Sequence, residues 1–223
     1  MDIDIIRKNY DHIKSNIISS CKKVGRNADA IKIVAVTKRV STDVVNTLSQ
    51  LGITDIGENR VQDALEKAKG ITHKYNWHLI GHLQTNKVKK TLQLFSTIHS
   101  VDSQRLAEEL QKEATKLNKI IDVFIEVNVS GEKTKQGVSP SEVGGLVNSI
   151  RNNYKNINLL GLMTMAPIVK NPKDVRPYFR RLRGLRDEAG LKHLSMGMTQ
   201  DYAIAVEEGA DYLRIGTAFF KGL

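Results

Sequence analysis

The chain has 223 residues, 40% of them apolar, and a formal charge of +10 from 34 basic and 24 acidic side chains. This composition predicts a globular protein with a sizeable core and excludes a disordered, collagen-like or membrane-embedded chain. The lone cysteine, Cys21, cannot form an internal disulfide, and no Cys/His cluster suggests zinc, so a reducing cytoplasm is the expected compartment. No signal peptide or membrane-spanning run is present in the sequence, so we expect no membrane association.

The positive charge is compatible with nucleic-acid binding. However, the basic residues are spread along the chain and cluster only at 87–90 and 180–186, and aromatic residues make up only 5% of the sequence. We therefore interpret the two clusters as solvated helix faces and expect no nucleic-acid partner.

The first predicted element is an amphipathic helix, with apolar residues at steps of three and four from Ile3 to Val24. Cys21 lies on this apolar stripe, so we expect it to be buried. The β-branched run at 31–37 is typical of a strand that is buried on both faces in a parallel sheet. Ser41 then caps a predicted helix that ends at Gly52.

The alternation of strands and helices continues along the chain. We predict strands at 31–37, 53–57, 77–81, 96–101, 121–129, 157–164, 192–196 and 211–216, and helices at 42–51, 58–70, 84–94, 102–118, 139–153, 173–189 and 199–209. Eight strand–helix units favour a closed (β/α)₈ TIM barrel over an open sheet. We predict one barrel domain over 1–223, with the N-terminal helix as an extra element.

The active site of such a barrel lies on the loops that follow the C-terminal ends of the strands. The polar and glycine residues at those positions are Lys38, Glu58, Asn59, His82, Asn128, Ser195, Gly197, Arg214, Gly216 and Thr217. Lys38 closes an apolar strand, and Schiff-base chemistry requires a neutral amine of the kind that a desolvated site favours. The alternative is a lysine whose stem covers apolar surface while its amine stays in water.

Two glycine-containing turns, at 195–199 and 214–217, follow the last two strands, where TIM barrels most often bind phosphate. Glycines let the backbone approach an anion, and N–H groups and hydroxyls supply donors. Each turn alone could be an ordinary capped strand-to-helix turn, but the two together favour a phosphate site. The residues alone therefore indicate either a pyridoxal phosphate site or a Schiff-base aldolase that acts on a sugar phosphate.

A zinc site is not expected at His78 and His82. Their spacing binds metal on a helix, but 77–82 has the pattern of a strand. Residues four apart in a strand are separated by ~13 Å. We predict no metal site.

The motifs in this order resemble the YggS/PROSC family of pyridoxal phosphate homeostasis proteins, relatives of the N-terminal, fold type III barrel of alanine racemase. The resemblance is carried by segments 35–38, 56–59, 77–87, 161–163, 194–198 and 214–217, with Asn128, Glu132, Lys135 and Gly137. It implies that Lys38 holds pyridoxal 5′-phosphate (PLP) as an internal aldimine. The other implied cofactor-binding residues are Ser195, Gly216 and Thr217 at the phosphate, Gly197 in the same turn, Asn59 on the oxygen side of the cofactor, and Arg214 at its pyridine nitrogen.

The resemblance also implies a function. An always-charged arginine keeps the pyridine nitrogen unprotonated, which weakens the ring as an electron sink. The chain ends at Leu223, so we expect no counterpart of the second domain that supplies a catalytic tyrosine in alanine racemases. The expectation is a cytoplasmic, monomeric, non-catalytic carrier or regulator in vitamin B6 homeostasis, with apo forms of PLP-dependent enzymes as partners.

Three other functions stay open on the sequence: a weak racemase-type PLP enzyme, an aldolase that uses Lys38, and a nucleic-acid binder. The sequence also departs from the family pattern at two places. Many members have a second lysine and a proline where this chain has Val40 and Ser41, which argues against transfer of the cofactor between two neighbouring amines. Residues 199–201 replace a Ser-Asp-Asp sequence, which alters the predicted helix cap beside the phosphate.

Overall fold

The computed structural model describes residues 2–132 and 134–223. Eight parallel strands pair in chain order, and the last pairs with the first to close a barrel. The strands are β1 (Lys32–Val36), β2 (Asp55–Glu58), β3 (Asn76–Leu79), β4 (Thr97–Val101), β5 (Ile121–Glu126), β6 (Ile157–Met163), β7 (His193–Ser195) and β8 (Tyr212–Ile215). The predicted barrel class is confirmed.

The helices form the outer ring. They are α1 (Asp2–Lys23), α2 (Thr42–Thr47), α3 (Val61–Ala68), α4 (Val88–Thr91), α5 (Gln104–Lys116), α6 (Val143–Asn153), α7 (Arg176–Glu188) and α8 (Tyr202–Glu207). Short 3₁₀ turns lie at Ala28–Ala30, Leu48–Leu51, Thr85–Lys87, Pro140–Glu142 and Pro172–Val175. None of the described helices is long and apolar enough to cross a membrane.

As in the predicted list of helices, no helix follows β8 within residues 2–132 and 134–223. The N-terminal helix α1 takes that place and packs against α8 on one side and α2 on the other. The Asn9 side chain donates to the carbonyls of Phe219 (3.1 Å) and Lys221 (2.9 Å), which fastens α1 to the C-terminal segment. Cys21 is 1% exposed on the inner face of α1, as predicted.

Local signals mark the start of α2 and the end of the turn that follows it. The Ser41 hydroxyl accepts from Val44 N at 3.4 Å and caps α2. The following 3₁₀ turn ends at Gly52, whose φ of 70° is left-handed. Strand β5 is shorter than predicted and ends at Glu126.

Most arginines of α7 are held in ion pairs. Arg176, Arg180 and Arg183 approach the carboxylate of Glu208 to 2.5, 3.2 and 3.3 Å. Glu208 is only 3% exposed, at the end of α8. Much of the basic cluster at 180–186 is therefore tied to acidic side chains of its own chain, whereas Lys87, Lys89 and Lys90 are exposed to solvent as predicted.

Candidate functional site

The residues predicted for the site lie at the C-terminal ends of four adjacent strands. In the barrel β7 pairs with β8, β8 with β1, and β1 with β2. Lys38 follows β1, Asn59 follows β2, and the two glycine turns follow β7 and β8. The structure thus brings the lysine and both turns together on one arc of the barrel mouth.

Lys38 is exposed at the start of the loop after β1, and a buried ion pair holds the backbone just before it. Lys67 Nζ donates to the carbonyl of Thr37 and to Glu58 Oε1, both at 2.6 Å. The Thr37 hydroxyl also donates to Glu58 Oε1, at 2.7 Å. Glu58 therefore anchors the Lys38 loop. The role of Lys67 was not predicted, because nothing in the sequence connects α3 with this loop.

The two glycine turns contact each other through Thr199. Its Oγ1 accepts from Ala218 N at 3.1 Å. Gly216 lets the end of β8 approach β1, since a Cβ there would lie 3.3 Å from Val36 Cβ. The N–H groups of Gly216 and Thr217 have no acceptor among the described residues. These free donors are suited to an anion.

Gly197 shapes the first of these turns. Its φ is +96°, and a Cβ would lie 2.6 Å from Ala205 Cβ, so only glycine fits without a shift. The following N–H, of Met198, donates to Asp201 Oδ1 at 2.6 Å. The Asp201 carboxylate therefore closes the turn ahead of α8 and makes no side-chain cap bond to the helix itself. Burial raises the pKa of Asp201.

The structure differs from the prediction at Ser195. This residue ends β7 with its side chain in the barrel interior and is fully buried. Its Oγ accepts from Arg214 Nη1 at 2.6 Å and lies 2.7 Å from His99 Nδ1. The hydroxyl that joins the glycine turns belongs to Thr199 instead, because the chain has left the strand by that residue and lies at the rim.

Arg214 is buried on β8, with a second bond from Nη2 to the carbonyl of Thr164 at 2.9 Å. The three remaining N–H donors of its guanidinium have no acceptor among the described residues. Burial lowers the pKa of Arg214 to about 10, against the opposing effect of Glu126 and Asp201, so it stays charged at neutral pH. Burial raises the pKa of Glu126 to about 7; Asp102 adds to this effect and Arg214 opposes it.

Three other residues predicted at the mouth have different environments. Asn59 is half-buried, and its side chain has no hydrogen bond with a described residue. His82 is exposed, with Nδ1 3.3 Å from Asp102 Oδ2. Asn128 instead stabilises its own loop, since its Oδ1 accepts from Gly131 N at 2.9 Å.

His78 lies inside the barrel, where its Nδ1 is 2.9 Å from His99 Nε2. His78 lies within β3 and is buried, whereas His82 follows the strand and is exposed, so the two do not share a site. No cluster of three or more metal-ligating side chains occurs among the described residues.

Taken together, the arc offers an amine at Lys38, a buried cation at Arg214, and unpaired N–H groups at the turn after β8. An anionic group can bind the turn, an aldehyde can react with the amine, and an acceptor nitrogen can face the guanidinium. This donor set is suited to a small aromatic aldehyde that bears a phosphate.

Comparisons with known proteins identify the family of this chain. Residues 3–223 match the model of the alanine racemase N-terminal domain. The chain is 44% identical to the pyridoxal phosphate homeostasis protein of Aquifex aeolicus, over 93% of this chain and 94% of that one. It is 33% identical to the protein of the same name from Vibrio alginolyticus, over 96% of each chain.

Solved structures show the same barrel. PipY of Synechococcus elongatus, with PLP bound, superposes with a TM-score of 0.84 at 28% identity, over 96% of this chain and 99% of that one. Alanine racemase of Clostridium difficile shares the fold at a TM-score of 0.74 and 17% identity, with 97% of this chain matching 56% of the enzyme. The chain therefore belongs to the alanine racemase N-terminal domain family and, within it, to the pyridoxal phosphate homeostasis proteins.

Proposed function

We propose that this protein binds PLP at the barrel mouth, attached to Lys38, and serves intracellular vitamin B6 homeostasis as a non-catalytic carrier. The observation that carries the proposal is the convergence of Lys38, Arg214 and the unpaired N–H groups of 216–217 on adjacent strand ends. The PLP bound to PipY, a relative with the same barrel, supports the choice of cofactor.

The residues present fit the parts of this cofactor. Gly216 and Thr217 offer N–H donors for the phosphate, next to the Thr199 hydroxyl and the glycine turn at Gly197. Arg214 offers donors for the pyridine nitrogen. The free amide of Asn59 suits the ring oxygen. Ser195 contributes by holding Arg214, since its hydroxyl is occupied in the barrel interior.

The covalent step at Lys38 needs no other reagent. Lys38 Nζ, as the neutral amine, adds to the aldehyde carbon of the cofactor, and the carbonyl oxygen leaves as water when the C=N bond forms. When bound, PLP supplies an electrophilic imine carbon and a conjugated ring. Lys38 lies in an exposed loop, so a second amine can reach the same carbon and release the cofactor to a recipient lysine.

The charge of Arg214 favours a carrier over a strong catalyst. A guanidinium that donates to the pyridine nitrogen keeps that nitrogen unprotonated, and an unprotonated ring stabilises carbanions poorly. The exposed Lys38 loop also fits a cofactor that must leave the protein, and we propose a cytoplasmic monomer that acts on apo forms of PLP-dependent enzymes.

An absorbance spectrum tests the cofactor proposal. Wild-type protein reconstituted with PLP should gain a band near about 420 nm that borohydride removes, whereas Lys38→Ala should gain none. Lys74→Ala, which changes an exposed lysine in a distant loop, is the matched control and should keep the band. Absence of the band from wild type, or its presence in Lys38→Ala, would overturn the proposal.

A transfer assay tests the carrier role. The loaded protein is mixed with an apo-enzyme and a scavenger of free PLP. Recovery of activity faster than PLP dissociates into the scavenger supports direct transfer, and equal rates would contradict it.

A weak racemase-type activity is the second candidate. It is favoured by Glu126, a buried carboxyl beside Arg214, because burial raises the pKa of Glu126 to about 7. Such a group can exchange a proton near neutral pH. Conversion of L-alanine to D-alanine that Lys38→Ala and Glu126→Gln both abolish would favour this candidate. A rate equal to that of free PLP would eliminate it.

A further inference from the structure

A chain of hydrogen bonds crosses the barrel interior behind Arg214. Ser195 Oγ links Arg214 to His99 Nδ1, at 2.6 and 2.7 Å. His99 Nε2 lies 2.9 Å from His78 Nδ1, and His78 Nε2 lies 2.9 Å from Asp55 Oδ1. Since Asp55 begins β2 and Ser195 ends β7, the chain runs from the N-terminal ends of the strands to the mouth.

The two end groups of this hydrogen-bond chain, Arg214 and Asp55, determine the direction in which its hydrogen bonds donate. Arg214 can only donate, so Ser195 Oγ accepts from it. Burial raises the pKa of Asp55, but hydrogen bonds from His78 and Thr54 and the charge of Lys32 lower it to about 2 overall. Asp55 is therefore ionised at neutral pH and can only accept.

Neutral imidazoles between these ends satisfy every contact. His78 donates Nε2–H to Asp55, His99 donates Nε2–H to His78 Nδ1, and Ser195 donates its hydroxyl proton to His99 Nδ1. Burial, together with the charges of Arg214 and Lys32, lowers the pKa of His99 well below its usual value, which keeps that ring neutral. The ring also stacks on Phe124, with 4.7 Å between centroids.

The opposite direction leaves a group without a partner. If His99 donated from Nδ1 to Ser195, the hydroxyl proton of Ser195 would have no acceptor among the described residues. His78 would also have to be doubly protonated, with one proton on Nδ1 to donate to His99 and one on Nε2 to donate to Asp55. The direction from Arg214 to Asp55 is therefore the one that the contacts support.

Stability alone does not account for this chain. TIM-barrel interiors are usually filled by layers of branched apolar side chains. Replacing buried charged groups by apolar residues of similar volume is often neutral or stabilising. This hydrogen-bond chain ends on the buried guanidinium of Arg214, whose three remaining N–H donors have no acceptor among the described residues, and it therefore points to a role at the candidate site.

We propose that Asp55, His78 and His99 are positioning residues that act through Ser195 on Arg214. When Ser195 donates its hydroxyl proton to His99, its oxygen lone pairs are free to accept from Arg214. Consecutive hydrogen bonds that all donate in the same direction polarise and strengthen one another. Arg214 is thereby held with its remaining donors towards the pyridine nitrogen of the cofactor. The inference rests on the proposed function, since PLP is the group that Arg214 faces.

Nitrogen-15 NMR of histidine tests the proton direction without any cofactor. His78 and His99 should each show an unprotonated Nδ1 and a protonated Nε2 at neutral pH. Protonation of His99 at Nδ1, or a doubly protonated His78, would overturn the proposed direction.

His99→Phe tests the action on Arg214, because it keeps an aromatic ring against Phe124 and removes both nitrogens. In protein loaded with PLP that is ¹⁵N-labelled in the ring, we expect a changed ring-nitrogen shift, a moved visible maximum and about tenfold weaker PLP binding. His99→Asn, which restores an acceptor near Nδ1, should recover part of each change. The matched control is His193→Phe. His193 is a half-exposed histidine of β7 that takes no part in the hydrogen-bond chain, so its substitution should change none of these signals.

The outcomes separate the two proposals. A wild-type protein that acquires no visible band refutes the proposed function and the role towards the cofactor together, while the histidine NMR still tests the hydrogen-bond chain. A wild-type band with unchanged ring-nitrogen shift and maximum in His99→Phe refutes this inference alone, even if that variant melts at a lower temperature. If His99→Phe does not fold, Ser195→Ala interrupts the same chain beside Arg214 and must move the same two signals.

Discussion

Gly197 combines a left-handed backbone with a close contact, and both conditions exclude a side chain. Its φ is +96°, and an added Cβ would lie 2.6 Å from Ala205 Cβ. We expect Gly197→Ala to lower the free energy of unfolding by about 1–3 kcal/mol. Urea unfolding measures this change, and a PLP titration should show weaker binding, because the displaced turn carries Thr199.

Gly144→Ala is the matched control for that substitution. Gly144 lies within α6, where nothing lies within 4 Å of an added Cβ. Alanine should raise the free energy of unfolding by about 0.5–1 kcal/mol at such a position. Equal losses in the two variants would show that the geometry at Gly197 is not the cause.

The buried carboxyl of Glu126 should make stability depend on pH. Burial raises its pKa to about 7, whereas the ordinary value is 4.5. Because the native state keeps this proton to a higher pH than the unfolded state, the free energy of unfolding falls as pH rises from 4.5 to 7. At pH 8 we expect Glu126→Gln to be more stable than wild type by about 3 kcal/mol, with little difference at pH 4. Urea unfolding across this range checks the prediction, and parallel pH profiles would contradict it.

Helix α1 closes the ring of helices, so its buried face should contribute to the stability of the whole barrel. Ile13 is 1% exposed, whereas Ile18, in the same helix, is 53% exposed. We expect Ile13→Ala to reduce the free energy of unfolding by about 2–4 kcal/mol, because it leaves a cavity between α1 and the barrel. Ile18→Ala should change it by less than about 0.5 kcal/mol. A small effect at Ile13 would mean that α1 is not part of the cooperative unit.

The helices also show where local signals suffice. The segment predicted as the helix 42–51 was placed closely, because its cap at Ser41 and its stop at Gly52 are encoded within the segment itself; its second half is a 3₁₀ turn rather than α-helix. The position of α1 was not predicted, because it depends on a gap between α8 and α2 that exists only once the barrel has closed.

At the scale of the whole molecule, the interior hydrogen-bond chain should make the free energy of unfolding fall in acid. The pKa of Asp55 is about 2 in the native state and ordinarily 3.8. Because the unfolded state takes up the proton first, the stabilisation is complete above about pH 4 and is lost as pH falls towards 2. We expect a contribution of about 2 kcal/mol, measured by urea unfolding at pH 5 and pH 2, that is absent from Asp55→Asn. Asp11→Asn, on the exposed face of α1, should keep the acid sensitivity of wild type.

The site was predictable to the extent that its residues lie at the C-terminal ends of strands. Lys38 and the turn at 214–217 each follow an apolar run, and any parallel barrel collects such positions at one mouth. The partners of those residues were not predictable. Lys67 reaches the Thr37 carbonyl from α3, and Ser195 turns inward to Arg214, through contacts that depend on which side chains face the interior.

The sequence by itself determined the order of elements, the barrel class and the family resemblance, because periodicity, caps and strand-end motifs are local properties of the chain. The tertiary structure decided that α1 completes the ring, that Thr199 rather than Ser195 joins the glycine turns, and that Asp55, His78 and His99 stand behind Arg214. These contacts join residues far apart in the chain, and His99 and Ser195, for example, are 96 positions apart. Their meeting requires the registers of all eight strands at once, which no local pattern encodes.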